Sequence, residues 1–298
     1  VNSTMNQSTK LDDKVIVITG ATSGIGYAAA RELAGRGALV IGVIGVGRSE
    51  ARCLSAEAEI RESHPDAQIG FRVADLSAQG HVRALAAQIR EWAGANASGK
   101  IDVLINNAAM VTNRYMATED GYETQFAVNH LAGFLLTHEL LPLLAAARAA
   151  RILTVSSNSH RRKRIHWRDP MMRRRYNILL AYKQSKLANV MFSAEFNRRF
   201  AAATSMRAYA IDPGLVNTGI GSKDTRGIVR WIWENRRAKG VSPEQGAETV
   251  VYIATDPAVA GSQEVYWKDC QPVPPSEYAL REREAARLWE YSERLCGI

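Results

Sequence analysis

Six short apolar, β-rich runs punctuate the chain, and their spacing restricts the fold more than any other feature. They are KVIVIT (Lys14 to Thr19), ALVIGVIGV (Ala38 to Val46), IGFRVA (Ile69 to Ala74), DVLINN (Asp102 to Asn107), RILTVSS (Arg151 to Ser157) and RAYAID (Arg207 to Asp212). Between them lie stretches rich in Ala, Leu, Glu and Arg, long enough for crossover helices. Strands that alternate with helices in this way build a parallel, doubly wound α/β sheet with helices on both faces. A chain of 298 residues can bury one such core, so a single domain over 1–298 is expected, with a polar tail over 1–12 and a C-terminal helix over 276–296. In this architecture ligands bind beyond the carboxyl ends of the strands, which directs attention to the residues that follow each run.

After the first run comes TGATSGIG, Thr19 to Gly26, and then the helical YAAARELAGRG. Gly20, Gly24 and Gly26 let the turn close, bring backbone N–H groups toward a pyrophosphate and allow the helix to pack on the sheet, with Thr22, Ser23 and Ile25 completing the cradle. A turn that needs small residues only for structure is the alternative. Its place between the first strand and a helix favours a dinucleotide site on a Rossmann-type sheet. Farther along, AYKQSKLANV sets Tyr182 and Lys186 four residues apart, hence on one helical face. An ammonium beside a phenol favours the phenolate and brings its pKa, ordinarily about 10, toward the range of a general acid/base. The same spacing also arises by chance, so the pair needs the support of its surroundings.

That support is the order of six motifs: TGATSGIG, NNAA (Asn106 to Ala109), VNH (Val128 to His130), TVSS (Thr154 to Ser157), YKQSK and DPGLVNT (Asp212 to Thr218). In order and spacing the chain resembles the short-chain dehydrogenase/reductases over roughly residues 12 to 270. YKQSKLANV, the 25-residue step from Ser157 to Tyr182 and the tail RLWEYSERLCG resemble the retinol dehydrogenase and protochlorophyllide reductase branch. The resemblance implies an oxidoreductase that moves a hydride between a nicotinamide and the carbonyl or alcohol carbon of a substrate. Tyr182 would exchange the proton with the substrate oxygen, and Lys186 would favour the Tyr182 phenolate and bond the nicotinamide ribose. Ser157 rather than Ser156 would hold the substrate oxygen. Asn129 would place a water that relays protons to Lys186, or would satisfy helix backbone as a buried amide, and the two roles are compatible.

The resemblance also implies the cofactor's surroundings. Asp75 would accept from the adenine amino group, the Leu76 backbone would line the same pocket, and Asn107 and Ala108 would flank the adenosine ribose, with Asn106 tying neighbouring strands together. Pro213, Gly214, Val216 and Thr218 join the cofactor set from the DPGLVNT segment, and Ala109 departs from the family's usual glycine. Choice of cofactor turns on the end of the second strand, where an acid suits NAD and an arginine pairs the extra phosphate of NADP. Arg48, supported by Ser49, is the candidate for NADP. Yet Ile41-Gly42-Val43 is repeated at once as Ile44-Gly45-Val46. Either the repeat loops so that Arg48 closes the site, or the strand runs straight and Gly45 stands at the selectivity position. NADP is favoured and NAD stays open.

The net charge of +8 is concentrated in one place, since His160 to Tyr176, HRRKRIHWRDPMMRRRY, carries eight Lys/Arg against one Asp. This basic insertion, 158–176, reads as a solvated loop. An anionic membrane surface is the competing partner, while a nucleic-acid platform is disfavoured because Trp167 is the sole interleaved aromatic before Tyr176. Residues 217–240 would form a mobile substrate lid or else a core helix, and Ile228, Val229, Trp231, Ile232 and Trp233 suit a bulky lipophilic substrate. No apolar run is long enough to span a membrane, and VNSTMNQSTKLDDK has no apolar core of a secretory leader. Three dispersed cysteines, Cys53, Cys270 and Cys296, suggest neither a disulfide framework nor a metal knuckle. A cytoplasmic enzyme without metal is expected, homo-oligomeric by family analogy. Two other classes remain: a catalytically idle NAD(P)-binding sensor on the same fold, and a methyltransferase with a similar turn, which would have no use for Tyr182 with Lys186.

Overall fold

The computed structural model describes residues 10–45, 49–218 and 240–298. Its sheet has eight strands in the order β3-β2-β1-β4-β5-β6-β7-β8. These are β1 (Val15–Thr19), β2 (Leu39–Val43), β3 (Ile69–Arg72), β4 (Val103–Asn106), β5 (Arg151–Val155), β6 (Arg207–Asp212), β7 (Tyr266–Lys268) and β8 (Gln271–Pro272). Each neighbouring pair from β3 to β7 is parallel, and β8 closes the edge antiparallel to β7. The last two strands were not legible as apolar runs, being only three and two residues long.

Burial on both faces explains the unbroken apolar runs. In β1 every residue is buried, and alternate side chains enter opposite layers. Val15 and Val17 join Leu104 and Ile152 on one side, whereas Ile16 and Ile18 join Ile105 and Leu153 on the other. Helices α1 (Gly24–Gly35), α2 (Glu50–Ser63) and α3 (Gln79–Asn96) make the crossovers of the first half. Then come α4 (Thr124–Phe126), a π-helical turn Ala127–Leu131, α5 (Ala132–Glu139) and α6 (Leu141–Ala145). The longest helix, α7 (Ile178–Phe200), is capped by the Asn177 side chain, which accepts from Leu180 N. Helix α8 (Pro243–Thr255) opens with a capping box between Ser242 and Gln245.

Several expected boundaries move. Leu11, placed in the polar tail of 1–12, is buried, and its N–H bonds Arg36 O at 2.9 Å, so the fold begins before β1. The C-terminal helix expected over 276–296 starts as a 3-10 turn, Glu277–Leu280, because Arg281 adopts an extended backbone; helix α9 itself spans Glu282–Cys296. Its Trp289 fills the outer layer, 4.9 Å from the Phe134 ring and stacked 5.7 Å from Phe192.

The basic segment 158–176 is not simply a solvated loop. Its arginines 162, 164, 168, 173, 174 and 175 are exposed, but Ile165, Met171 and Met172 are buried beneath them. Arg161 donates to Pro274 O at 2.6 Å and Trp167 Nε1 to Glu284 Oε2 at 2.6 Å. Tyr176 closes the segment by donating to Glu123 Oε1 at 2.7 Å, the same carboxylate that caps α4. Alternation of cations with buried apolar residues is the pattern of a packed strap, whose charges face outward because they cannot be desolvated. The three cysteines are free and buried. Among the described residues no helix is long and apolar enough to cross a membrane, and no group of acids, histidines and cysteines is arranged to hold a metal ion.

Candidate active site

The Gly-rich turn leaves β1 with Gly20 at φ +70° and Gly24 at φ +60°, backbone that a side chain would strain. Gly26 has an ordinary φ but no room: a Cβ there would lie 2.4 Å from Gly20 O and 2.4 Å from Asn107 Nδ2. Helix α1 begins at this turn without a side-chain cap and without an acid in its first turn. Its first N–H groups and the positive end of its dipole therefore face the cleft unneutralised, which suits an anion. A Cβ on Gly24 would meet Thr218 Cγ2 at 3.1 Å, and one on Gly246 would meet Val216 at 2.6 Å and Ile25 at 3.3 Å. The DPGLVNT segment thus closes over the same turn. Its direction is set by Gly214, at φ +77°, whose N–H bonds Asp212 Oδ1 at 3.1 Å. Together these surfaces form the cradle that a dinucleotide pyrophosphate requires.

Neighbouring candidates divide into those that face the cleft and those that brace it. Asn107 donates to Thr19 O at 2.8 Å, and Thr19 Oγ1 receives the N–H groups of Asn107 and Ala108, both at 3.0 Å. It is therefore Asn107 that ties β1 to β4, while Asn106, expected to tie the strands, reaches Thr137 of α5 at 3.0 Å. Asp75 Oδ1 accepts from Ser77 N at 3.0 Å and Ser77 Oγ at 2.7 Å, and Leu76 N donates to Gly45 O at 3.3 Å.

The repeat in the second run is resolved up to Gly45. Strand β2 stays in register with β1 through Val43, and Gly45 lies against the turn, where its Cβ would sit 3.0 Å from Ala108 Cβ and 3.3 Å from Gly20 Cα. The ladder with β1 ends at Val43, and Gly45 lies in a bend two residues beyond it. Arg48 lies outside the described residues, as does 219–239 of the expected lid. Ser49, expected to support Arg48, caps α2 by accepting from Arg52 N at 3.4 Å. The residue that sequence reading passed over is Arg52. With Thr22, Ser23, Tyr27, Ser55 and Glu59 it lines a cleft of about 150 Å³ beside the Gly-rich turn, the Glu59 carboxylate being held by the Tyr27 and Ser55 hydroxyls at 3.1 and 2.8 Å. The signal for Arg52 was a cation in the first turn of α2, three residues after the Ser49 cap.

The catalytic candidates converge beyond β4 and β5. Tyr182 and Lys186 share one face of α7, with Lys186 Nζ 5.7 Å from the Tyr182 ring centroid. Lys186 is 2% exposed and donates to Val155 O at 2.9 Å. Desolvation makes its ammonium costly and pushes its pKa down to about 7. Ser156 donates to Lys186 O at 2.7 Å, a structural tie, whereas Ser157 Oγ accepts from Ser159 N at 3.2 Å. That bond occupies the Ser157 oxygen and leaves its hydroxyl proton to be donated elsewhere. Asn129 sits in the π-helical turn: Oδ1 accepts from Met110 N at 2.8 Å, and Nδ2 donates to Met110 O at 3.1 Å and Ser185 Oγ at 3.0 Å. Both amide protons are spent on bracing, so the compatible structural role is the one its side chain visibly performs.

A Gly-rich cradle at the switch of a doubly wound sheet, facing a Tyr/Lys pair with a serine beside it, defines a nicotinamide-dependent oxidoreductase. The chain belongs to the short-chain dehydrogenase family, in its retinol dehydrogenase-like branch: the short chain dehydrogenase family pattern matches residues 14–228. Retinol dehydrogenase 12 of Mus musculus is 37% identical over 289 residues, covering 97% of this chain and 88% of its own. Retinol dehydrogenase 14 of Homo sapiens is 35% identical over 306 residues, with 96% and 87% covered. Among solved structures, an uncharacterised protein from Mycobacterium paratuberculosis superposes with a TM-score of 0.76 at 34% identity, covering 97% of this chain and 95% of that one. The protein is thus an alcohol/carbonyl oxidoreductase that uses a nicotinamide cofactor.

Proposed function

We propose that this enzyme uses NADP to interconvert a bulky, lipophilic aldehyde or ketone and its alcohol, with Ser157, Tyr182 and Lys186 as its catalytic residues and Asn129 positioning them. The observation that carries the reaction chemistry is the buried Lys186 beneath Tyr182, because a desolvated ammonium is stabilised by an adjacent phenolate and stabilises it in return. In the reducing direction Tyr182 gives its proton to the carbonyl oxygen as negative charge develops there, and in the oxidising direction it takes the alcohol proton. Ser157 donates a hydrogen bond to the same oxygen, with its own oxygen held by Ser159 N–H. Asn129, through Ser185, braces the turn of α7 that carries both Tyr182 and Lys186. A nicotinamide held in the cradle would supply or accept the hydride.

Two further features support the finer reading. Lipophilic substrates fit the apolar residues 228, 229 and 231–233 of the sequence and the retinol named for the similar dehydrogenases. Adenosine phosphate recognition fits two arginines, Arg48 after the second strand and Arg52 in the cleft beside Ser23. A single charge-assisted contact contributes about 1.5–3 kcal/mol, or roughly 10- to 100-fold in affinity. Arg48→Asp and Arg52→Glu are each expected to weaken NADPH binding by at least about tenfold while changing NADH binding less than about twofold. Fluorescence titration of both cofactors measures this, and equal small effects on the two would remove the NADP assignment. A panel of aldehydes and ketones of rising size, followed at the nicotinamide absorbance, tests the substrate class. Preference for small polar carbonyls would sink it.

A further inference from the structure

His160 closes the 3-10 turn Asn158–His160 that follows Ser157, and it is 0% exposed. Both ring nitrogens are engaged by backbone groups from opposite directions. Nε2 lies 3.1 Å from Ser276 N, whose N–H can only donate. Nε2 must therefore accept, which places the proton on Nδ1 and makes it the donor to Ser157 O at 2.8 Å. One neutral tautomer satisfies both bonds. Burial, the largest influence, holds the His160 pKa below the ordinary histidine value, consistent with a ring that stays neutral.

The ring is also packed. Its centroid lies 4.8 Å from that of Tyr266 in β7, while the next residue, Arg161, bonds Pro274 O. The peptide after Ser157 is thus held twice by His160, since His160 N also donates to Ser157 O at 3.1 Å. Fixing this carbonyl fixes the backbone from which the Ser157 side chain departs, and the Ser159 N–H bond to Oγ at 3.2 Å then holds the side chain itself. The link from this machinery to the cofactor cradle runs through Asp212, whose charge acts on both His160 and Tyr266, so cofactor affinity is measured beside turnover.

We propose that His160 is a positioning residue: as a neutral bridge between Ser157 O and Ser276 N–H, it clamps the C-terminal segment onto the serine loop and aims the Ser157 hydroxyl at the reacting oxygen. The inference rests on the role given to Ser157 under the proposed function. Its chemistry is geometric, since displacements of about 1 Å at a reacting group can cost on the order of 10²-fold in rate.

The test is a double-mutant cycle on the full-length enzyme with the best carbonyl substrate of the size panel. His160→Leu removes both bonds and keeps an apolar filling. It is expected to lower kcat about 10- to 100-fold with the dinucleotide Kd unchanged within about twofold. His160→Asn, which retains an N–H able to reach Ser157 O, is expected to recover part of the loss. Ser276→Pro deletes the bridging N–H together with a buried hydroxyl that has no hydrogen-bond partner among the described residues, and the Ser276 φ of −69° accommodates the ring. A smaller loss in the same direction is expected, about 3- to 10-fold.

The decisive comparison repeats these changes in Ser157→Ala, where they should alter kcat less than about twofold because the group they position is gone. Equal losses with and without Ser157 would overturn the proposal, as would unchanged kcat in His160→Leu. If His160→Leu does not fold, as judged by its melting curve, His160→Asn and Ser276→Pro complete the same cycle. Failure of the underlying reading looks different: Ser157→Ala would then itself turn over at the wild-type rate.

Discussion

Tyr182→Phe is expected to lower turnover about 10³-fold while leaving dinucleotide affinity within about twofold of wild type. The substitution keeps the ring that packs near Lys186 and removes only the oxygen that exchanges a proton. A hydride cannot be delivered productively to a carbonyl whose oxygen gains charge with no proton donor, so the loss belongs in kcat rather than in cofactor binding. Lys186→Met is the informative companion. Lys186 is buried against Val155 O and the Tyr182 ring, so its removal should depress kcat and also weaken cofactor binding by loosening the strand-end site. Stopped-flow hydride transfer together with equilibrium titration separates the two effects. Wild-type turnover by Tyr182→Phe on the preferred substrate would remove Tyr182 as the acid/base.

Much of this arrangement was legible because it is local. Six apolar runs located six strands, and β6 falls on Arg207–Asp212 as read from RAYAID. The Tyr182/Lys186 pair needs only a helix, and α7 supplies one without a break. What escaped depends on partners distant in sequence. The family resemblance singles out Ser157 over Ser156, but what Ser156 does instead, donating to Lys186 O, depends on a partner 30 residues away. The strand tie expected of Asn106 belongs to Asn107, expected beside the ribose, because each side chain bonds whichever element packs there, α5 for Asn106 and β1 for Asn107. Similarly, nothing in HRRKRIHWRD reveals that His160 meets Ser276 across 116 residues. The strap formed by the basic segment was hidden for the opposite reason, since eight cations dominate its composition while three buried apolar side chains fix its position.

Gly26→Ala is expected to abolish measurable dinucleotide binding, raising Kd by at least about 100-fold, and to destabilise the fold by about 2–4 kcal/mol. The methyl group would lie 2.4 Å from Gly20 O and 2.4 Å from Asn107 Nδ2, well inside van der Waals contact. Neither atom can yield cheaply. Gly20 O belongs to the turn's own backbone, and Asn107 Nδ2 is held by Thr19 O at 2.8 Å. Relief therefore requires α1 to lift away from β1 or the Asn107 bond to break, leaving a part-buried amide unsatisfied. Either movement displaces the first N–H groups of α1 from the position where a pyrophosphate would be held. Gly80→Ala provides the control of opposite sign: it lies in α3 with nothing within 4 Å of the added Cβ, so it should stabilise the protein by about 0.5–1 kcal/mol and leave binding unchanged. Thermal melting and cofactor titration on the two variants measure both consequences. If Gly26→Ala bound the dinucleotide with wild-type affinity, the Gly-rich turn would be a packing device only, and the cofactor would have to be sought elsewhere on the sheet.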